Sequence, residues 1–421
     1  MIGRGIGCVV RTRGELVVAS LPRACIGDGV RILPLGGGFL DGQVTAIERS
    51  RVMIAPFGPL AGVAVGDRVS VTPEATACVL GFAALGRAID AAGMALDGGP
   101  GLRGSLVRVA RGAPPPRERR PIDTIFWTGV RAIDGLLTLG RGARIGIFGA
   151  PGAGKSTLLE MIAAGARGDA VVLALIGERG REAQTWLGRL NGRTTAVCAT
   201  SDRSAAERVR AAEIAMAQAV TLREHGLDVV VILDSLARYA AALRELRIAH
   251  DEPVGRGGYP PAVWAELARF LERAGTARRG SITLIATVLS DGDDAREPLS
   301  DAARSMLDGH IALSAELACG GHHPAIDVPA SRSRTMGAVV SPGHACDAET
   351  VRAALGLLAQ TKDVRSLGLS DNRDRKLAAA VAAEPALCAF LRQRAPVLPE
   401  ETTLALRSVA ALLARAEPGG R

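Results

Sequence analysis

Lysine is almost missing from this sequence. Only three of its 51 basic residues are Lys (Lys155, Lys362 and Lys376); the rest are Arg. Aromatic residues make up 3 % of the chain, and Phe39 and Phe57 are the only ones in residues 1–75. A nucleic-acid binder of the stacking kind needs aromatic platforms among its cations. The formal net charge of +8 invites that reading, but the basic residues form no block, and their Arg-rich, Ala-rich and Gly-rich setting reads more simply as a coding bias spread over the surface. No apolar run is long enough to span a bilayer, and the first residues lack a charged-then-apolar leader pattern. A cytosolic location is the default expectation. The seven cysteines (Cys8, Cys25, Cys78, Cys198, Cys319, Cys346 and Cys388) show no zinc or redox spacing. Their odd number argues against a closed disulfide framework, and buried free thiols are expected.

What is present is enough apolar residue for real cores, 48 % of a 421-residue chain. That length suits two or three domains. Residues 1 to about 75 lack helical periodicity. Short runs such as Leu16–Val18, Val30–Leu33, Gln43–Ile47 and Arg51–Ile54 predict closely spaced strands and a small barrel. Residues 111–121 (RGAPPPRERRP) read as an irregular surface connection. From Ala143, apolar runs (Ala143–Phe148, Ala170–Ile176, Thr194–Ala199, Leu227–Leu233, Ser281–Leu289) alternate with helical stretches (Lys155–Ala164, Ala205–Arg223, Pro261–Ala274). That alternation predicts a parallel sheet covered by helices. After about residue 346 only helical periodicity remains.

The segment Gly149-Ala-Pro-Gly-Ala-Gly-Lys-Ser156 fits GxxxxGK[ST], follows an apolar strand and opens a helix. That is the context which confirms a phosphate-binding loop. Glycines let backbone N–H groups turn inward on phosphate oxygens, and the helix N-terminus adds its positive dipole end. Lys155 then neutralises the β- and γ-phosphates while Ser156 holds Mg²⁺. Asp234 ends the run Val229–Leu233, at the carboxyl end of a buried strand. It reads as a Mg²⁺ carboxylate or as the N-cap of the next helix, with the metal role favoured once the loop is accepted. Glu178, in Ile176-Gly-Glu-Arg-Gly-Arg-Glu182, is placed to activate a water or is an exposed loop acid. Arg179 beside it reads equally as a solvated charge.

The ordered segments GVRAIDG (Gly129–Gly135), GRGARIGIFGAPGAGKSTLL, ALIGERGRE, ILDSLARYA, GYPPAVWAELARFLERAG, SITLIATVLSDGDD and LDGHIALS followed by HPAIDVPASRSR closely resemble the ATPases of type III secretion and flagellar protein export. These are relatives of the catalytic subunit of rotary ATP synthases. The similarity covers nearly the whole chain, and the wording GRGxRIGIF, ERAG before SIT, and GDD favours the export branch.

The resemblance implies an α/β protein with a RecA-like P-loop core, an N-terminal β-barrel (1–78) for ring contacts, an ATPase domain (79–345) and a helical C-terminal domain (346–421). It implies ATP and Mg²⁺ as ligands. The nucleotide would be held by Gly149, Ala150, Pro151, Gly152, Ala153, Gly154, Lys155, Ser156 and Thr157, with Arg238 on the phosphate side and His323 near the adenine. The metal would be held by Ser156 and Asp234. The catalytic set would be Lys155, Glu178 as base, Arg179 on the terminal phosphate, and Arg334 as a finger reaching a neighbouring subunit's ATP. His323 stands where the family usually has Tyr, and Pro329 and Arg332 replace usual apolar residues near Arg334.

The function implied is hydrolysis at the interfaces of a homohexamer, energising unfolding, chaperone release and export of proteins. Partners would be further copies of the chain, stalk and regulator proteins of the apparatus, export substrates and their chaperones, and no nucleic acid. The location would be cytoplasmic, with room for peripheral association at the inner face of the inner membrane. Two other classes stand beside this reading: a rotary ATP synthase-type catalytic subunit, which requires a non-identical partner subunit, and a hexameric nucleic-acid translocase, which the scarcity of aromatics in residues 1–75 opposes.

Overall fold

The computed structural model describes residues 5–109, 112–289, 298–367 and 374–416. The GDD segment (292–294) and Arg111 of the expected connection lie outside the described residues. The chain groups into two compact units, Met1–Glu118 with Asp169–Ile282, and Arg119–Gly168 with Thr283–Arg421.

The first unit opens with six strands: β1 (Ile6–Arg13), β2 (Leu16–Ser20), β3 (Gly29–Leu33), β4 (Leu40–Glu48), β5 (Arg51–Pro56) and β6 (Arg68–Val71). They close a barrel in the order β1-β2-β5-β4-β3-β6, which removes free sheet edges. Alternation sends Val9, Val17, Val30, Ile32, Val44, Ile54 and Val69 inward as the barrel core. Leu16, Val18, Met53 and Ala55 face outward, yet they too are buried, against Ala206 and beside Leu246 and Ala249. Strand β2 is therefore apolar on both faces, which is why it reads as a continuous run rather than an alternating one.

The same unit carries four parallel strands in the order Asp228–Asp234, Ala170–Ile176, Thr194–Ala199 and Ala88–Ile89. Helix Ala205–Glu224 packs on the first three. A reciprocal capping box starts it, Ser204 accepting from the Glu207 amide and the Glu207 side chain accepting from Ser204 N–H, satisfying donors that a helix start leaves open.

In the second unit the strand Arg144–Gly149 lies between Gly309–Leu313 and Ser281–Leu289, parallel to both. The strand Ile326–Ser333 adds antiparallel to Gly309–Leu313. Helices Pro342–Gln360, Arg375–Leu391 and Pro399–Ala416 pack against one another, burying Val351, Leu377, Leu387, Phe390, Leu406 and Leu413. The expected N-terminal barrel, α/β core and C-terminal helices are all present. Residues 112–121 hold only the turn of 3-10 helix Pro116–Glu118.

The expectation of buried thiols needs correction. All seven cysteines are free, but only Cys78 and Cys198 are buried; Cys388 is half-buried and Cys8, Cys25, Cys319 and Cys346 are exposed. Of the exposed ones, Cys8 lies on β1, Cys25 in the loop between β2 and β3, Cys319 at the end of helix Ala315–Cys319 and Cys346 on helix Pro342–Gln360.

Candidate nucleotide-binding and hydrolytic site

In the second unit the strand Arg144–Gly149 is covered on both faces and feeds the phosphate loop. Gly152 and Gly154 take φ of +82° and +89°, a left-handed backbone that glycine adopts without strain. A Cβ at either would meet open space, so the concave side of the loop is roomy. Gly149 is crowded instead, since a Cβ there would lie 3.0 Å from Leu313 Cβ. The loop ends on helix Lys155–Gly165, whose N-cap is Gly154 with no side-chain cap. Its first amides thus receive no side-chain acceptor, which suits an anion. Lys155 Nζ donates to Gly149 O at 2.6 Å and Ala150 O at 2.9 Å. Ala153 is buried, while Pro151, Ser156 and Thr157 are exposed.

The GVRAIDG motif braces this helix. Asp134 is buried and accepts from Thr128 N (2.9 Å), Thr128 Oγ1 (2.7 Å) and Gly129 N (2.8 Å). Desolvation outweighs these bonds and pushes its carboxyl up to about 6. Gly129 O accepts from Gln393 Nε2 and from Val397 N at 3.0 Å, and Gln393 Oε1 accepts from Arg131 N at 2.9 Å. Gly135 has no room for a side chain, as its Cβ would lie 2.9 Å from Phe390 Cζ. The motif is therefore the dock of the C-terminal helices.

His323 is exposed and lines a cavity of about 510 Å³ with Arg131, Arg392, Gln393, Arg394 and Ala395. Its carbonyl accepts from Gln393 N at 2.9 Å. Arg131 belongs to the GVRAIDG motif, whereas Arg392 and Gln393 carry no motif in a single sequence, and some 70 residues part Gln393 from His323; only the fold brings them together. Arg334 is exposed. Its Nη2 donates to Arg304 O at 3.3 Å and its amide to Asp308 O at 2.9 Å. The substitutions beside it fall on a register shift: His310 pairs with Arg332, but Ala312 pairs with Asp327. The extra residues, Pro329 among them, bulge from a strand at the end of the sheet order, where a missing N–H is tolerated.

In the first unit, strand register sets Asp234 opposite Leu175, so both strands deliver acids at the same carboxyl edge. Gly177 (φ +69°) turns the chain, and a Cβ there would come 3.0 Å from Arg238 Cδ. Glu178 follows, 6 % exposed, with its Oε1 3.3 Å from Arg238 Nε. Burial first, and then the charge of Asp234, push the Glu178 carboxyl up to about 8; Arg238 pulls the other way. Glu178 is thus not an exposed loop acid. Asp234 is not the N-cap either: Ser235 takes that position and accepts from Arg238 N–H. Arg179, the N-cap of helix Gly180–Leu187 and 66 % exposed, meets this cluster through Glu182, which lies 3.8 Å from it and hydrogen-bonds Glu178.

A glycine cradle on a helix N-terminus with its lysine, and a buried acid at a strand's carboxyl edge, define a P-loop ATPase. The model of the ATP synthase alpha/beta family, nucleotide-binding domain, matches residues 129–333. A "Type 3 secretion system ATPase" of Sinorhizobium fredii is 43 % identical over 92 % of this chain and 88 % of its own length. A "Flagellum-specific ATP synthase" of Pseudomonas aeruginosa is 39 % identical over the same shares. The assembled ATPase EscN of the enteropathogenic E. coli type III secretion system superposes with a TM-score of 0.90 at 38 % identity, over 96 % of this chain and all of EscN. EscN in complex with its central stalk EscO gives 0.86. The chain belongs to the type III secretion and flagellar export ATPases of the ATP synthase alpha/beta family.

Proposed function

We propose that this chain hydrolyses ATP–Mg²⁺ at the subunit interfaces of a homohexamer and so energises unfolding, chaperone release and export of proteins through a type III secretion apparatus. The observation that carries this reading is Glu178, a buried carboxylate held up to about 8 beside Asp234 and Arg238. A general base works best with a pKa near the operating pH. In this reading Lys155 and the loop from Gly149 to Thr157 hold the phosphates, Glu178 takes the proton of the attacking water, and Arg179, Arg238 and Arg334 neutralise phosphate charge. His323 and the cavity it lines take the adenine.

The Ser156 hydroxyl and the Asp234 carboxylate are hard oxygen donors of the kind Mg²⁺ prefers. When bound, the ion would neutralise charge on the terminal phosphates. We assign residues 1–78 to ring contacts, 79–345 to catalysis and 346–421 to substrate and chaperone contacts. Nucleotide states that favour different interface geometries would couple turnover to mechanical work. Stalk contact is supported by the EscN–EscO complex. The location is the cytoplasm, with peripheral contact at the inner membrane; among the described residues no helix is long and apolar enough to cross one.

The test is turnover and assembly of the purified chain alone. Mg²⁺-dependent phosphate release should appear, with specific activity rising as rings form. Inactivity until a second, non-identical subunit is added would instead assign it to the rotary synthase class.

A further inference from the structure

A cavity of about 830 Å³ lies within the unit formed by Met1–Glu118 and Asp169–Ile282. Its walls come from barrel strands β4 and β5 and from helices Ala205–Glu224, Leu236–Ala249 and Pro261–Leu271. Val44, Ala55, Phe57, Leu243 and Leu246 give it a mainly apolar lining. Glu178, Asp234 and Arg238 do not line it. Its volume suits a small organic ligand.

Arg210 stands in this wall, 6 % exposed, without a carboxylate of its own. Its guanidinium lies 4.6 Å from the centroid of the Phe57 ring. One Nη reaches Cys78 Sγ at 3.9 Å, a weak acceptor. Its Nε has no hydrogen-bond partner. The two carboxylates whose charge reaches it, Glu213 and Asp41, are each taken by another arginine. Glu213 receives both Nη of Arg273 at 2.6 Å and the Tyr239 hydroxyl at 3.0 Å. Asp41 receives Arg31 at 2.7 and 2.8 Å. Arg247, also in the wall, is neutralised by Glu252 and Glu266. A buried charge is normally paired, because removal from water disfavours it strongly. Burial accordingly pulls the Arg210 pKa down.

We propose that this cavity binds a small amphipathic monoanion, its carboxylate on Arg210 and its apolar body against Ala55, Phe57 and Leu243. Arg210 is the buried guanidinium in this wall that no carboxylate meets, and it sets one negative charge; Arg269, whose Nε donates to Ala265 O, lines the cavity too but is exposed. A neutral guest leaves Arg210 unpaired, and a dianion brings a second charge that no buried unpaired cation of the wall meets.

Isothermal titration of the full chain with octanoate, against octanol of equal chain length, tests this. Octanoate should bind at one saturable site, with octanol weaker by on the order of tenfold or more. Arg210→Met keeps the apolar stem volume and removes the charge; octanoate should weaken by at least about tenfold while octanol does not change. Val209→Trp, from a half-exposed position in the same wall, fills the space and should weaken both. Octanoate binding no better than octanol, or unaltered by Arg210→Met, overturns the proposal. Should Arg210→Met not fold, Val209→Trp decides alone, because unchanged octanoate affinity in that variant overturns it as well.

Discussion

Arg238 Nε lies 3.3 Å from Glu178 Oε1, so the helix that follows Asp234 sets a cation beside this buried acid. Glu178 is held between opposed influences: burial and Asp234 favour its protonated form, and Arg238 its ionised form. Glu178→Gln keeps the shape and hydrogen bonding but cannot take a proton. ATP binding should survive while hydrolysis falls by a factor on the order of 10² or more. Stability carries a sign as well. A folded-state pKa of about 8, well above the ordinary glutamate range, means the carboxyl stabilises the fold while protonated, and that contribution is lost as pH rises through about 8. The Gln variant should therefore gain in melting temperature over the wild type between pH 5 and pH 9. A gap that shrinks over that range contradicts the assignment.

Arg238→Met tests the opposing influence. Without the cation the Glu178 pKa should rise, and the acid limb of the kcat/KM profile should move to higher pH. Arg238→Lys should return part of the shift. An unmoved limb in both variants separates Arg238 from the titration of the base.

Lys155→Ala should abolish turnover, because the only other lysines, Lys362 and Lys376, lie in the C-terminal helical segment. The far-UV spectrum should not change, since the carbonyls that Lys155 bonds belong to a loop shaped by its own glycines. Phosphate release at the wild-type rate would remove the loop from the mechanism.

Asp134→Ala strips the acceptor from the Thr128 and Gly129 amides in a buried turn. Orphaned buried donors cost about 1–3 kcal/mol each, so urea unfolding should show a loss of about 2–4 kcal/mol. A loss below 0.5 kcal/mol, roughly the level of an unimportant surface change, would show that the turn holds without its clamp.

The barrel, the parallel strands and the phosphate loop were legible in the sequence because each depends on local pattern: alternation, apolar runs, and a lysine where lysines are scarce. The burial of Glu178 was not, since the residues alone left it open as a water-activating carboxylate or an exposed loop acid. Its burial depends on Gly177 turning the chain under Arg238, some 60 residues away, and an acid after a strand looks the same whether covered or not. Asp134 and Gln393 were missed for a related reason. Their value lies in backbone groups they satisfy, Thr128 and Gly129 in the adjoining turn for Asp134 and Gly129 and Arg131 far along the chain for Gln393, which no periodicity records. The Cys residues were misjudged because a residue type's average burial says nothing of which face of its element it occupies.

Arg334 carries the sharpest prediction. It is exposed, its guanidinium donates only to the Arg304 carbonyl, and among the described residues no acidic side chain pairs with it. An arginine that served its own subunit's ATP would act whatever the assembly state. One that serves a neighbour's makes two further claims. Specific activity should rise with protein concentration as rings form, and Arg334→Ala should lose on the order of 10³-fold in turnover, as arginine fingers do. Mixing Arg334→Ala subunits with Lys155→Ala subunits, each inactive alone, should then restore partial phosphate release. An intact loop can sit beside an intact Arg334 at only some interfaces of a mixed ring, so recovery should peak at intermediate mixing ratios. Co-assembly is verified first by labelling the two variants differently and detecting both in one ring. If mixed rings form and no ratio exceeds the separate controls, Arg334 does not act across the interface in rings whose sites fire independently. Concentration-dependent turnover at the wild-type level in Arg334→Ala itself excludes the role outright.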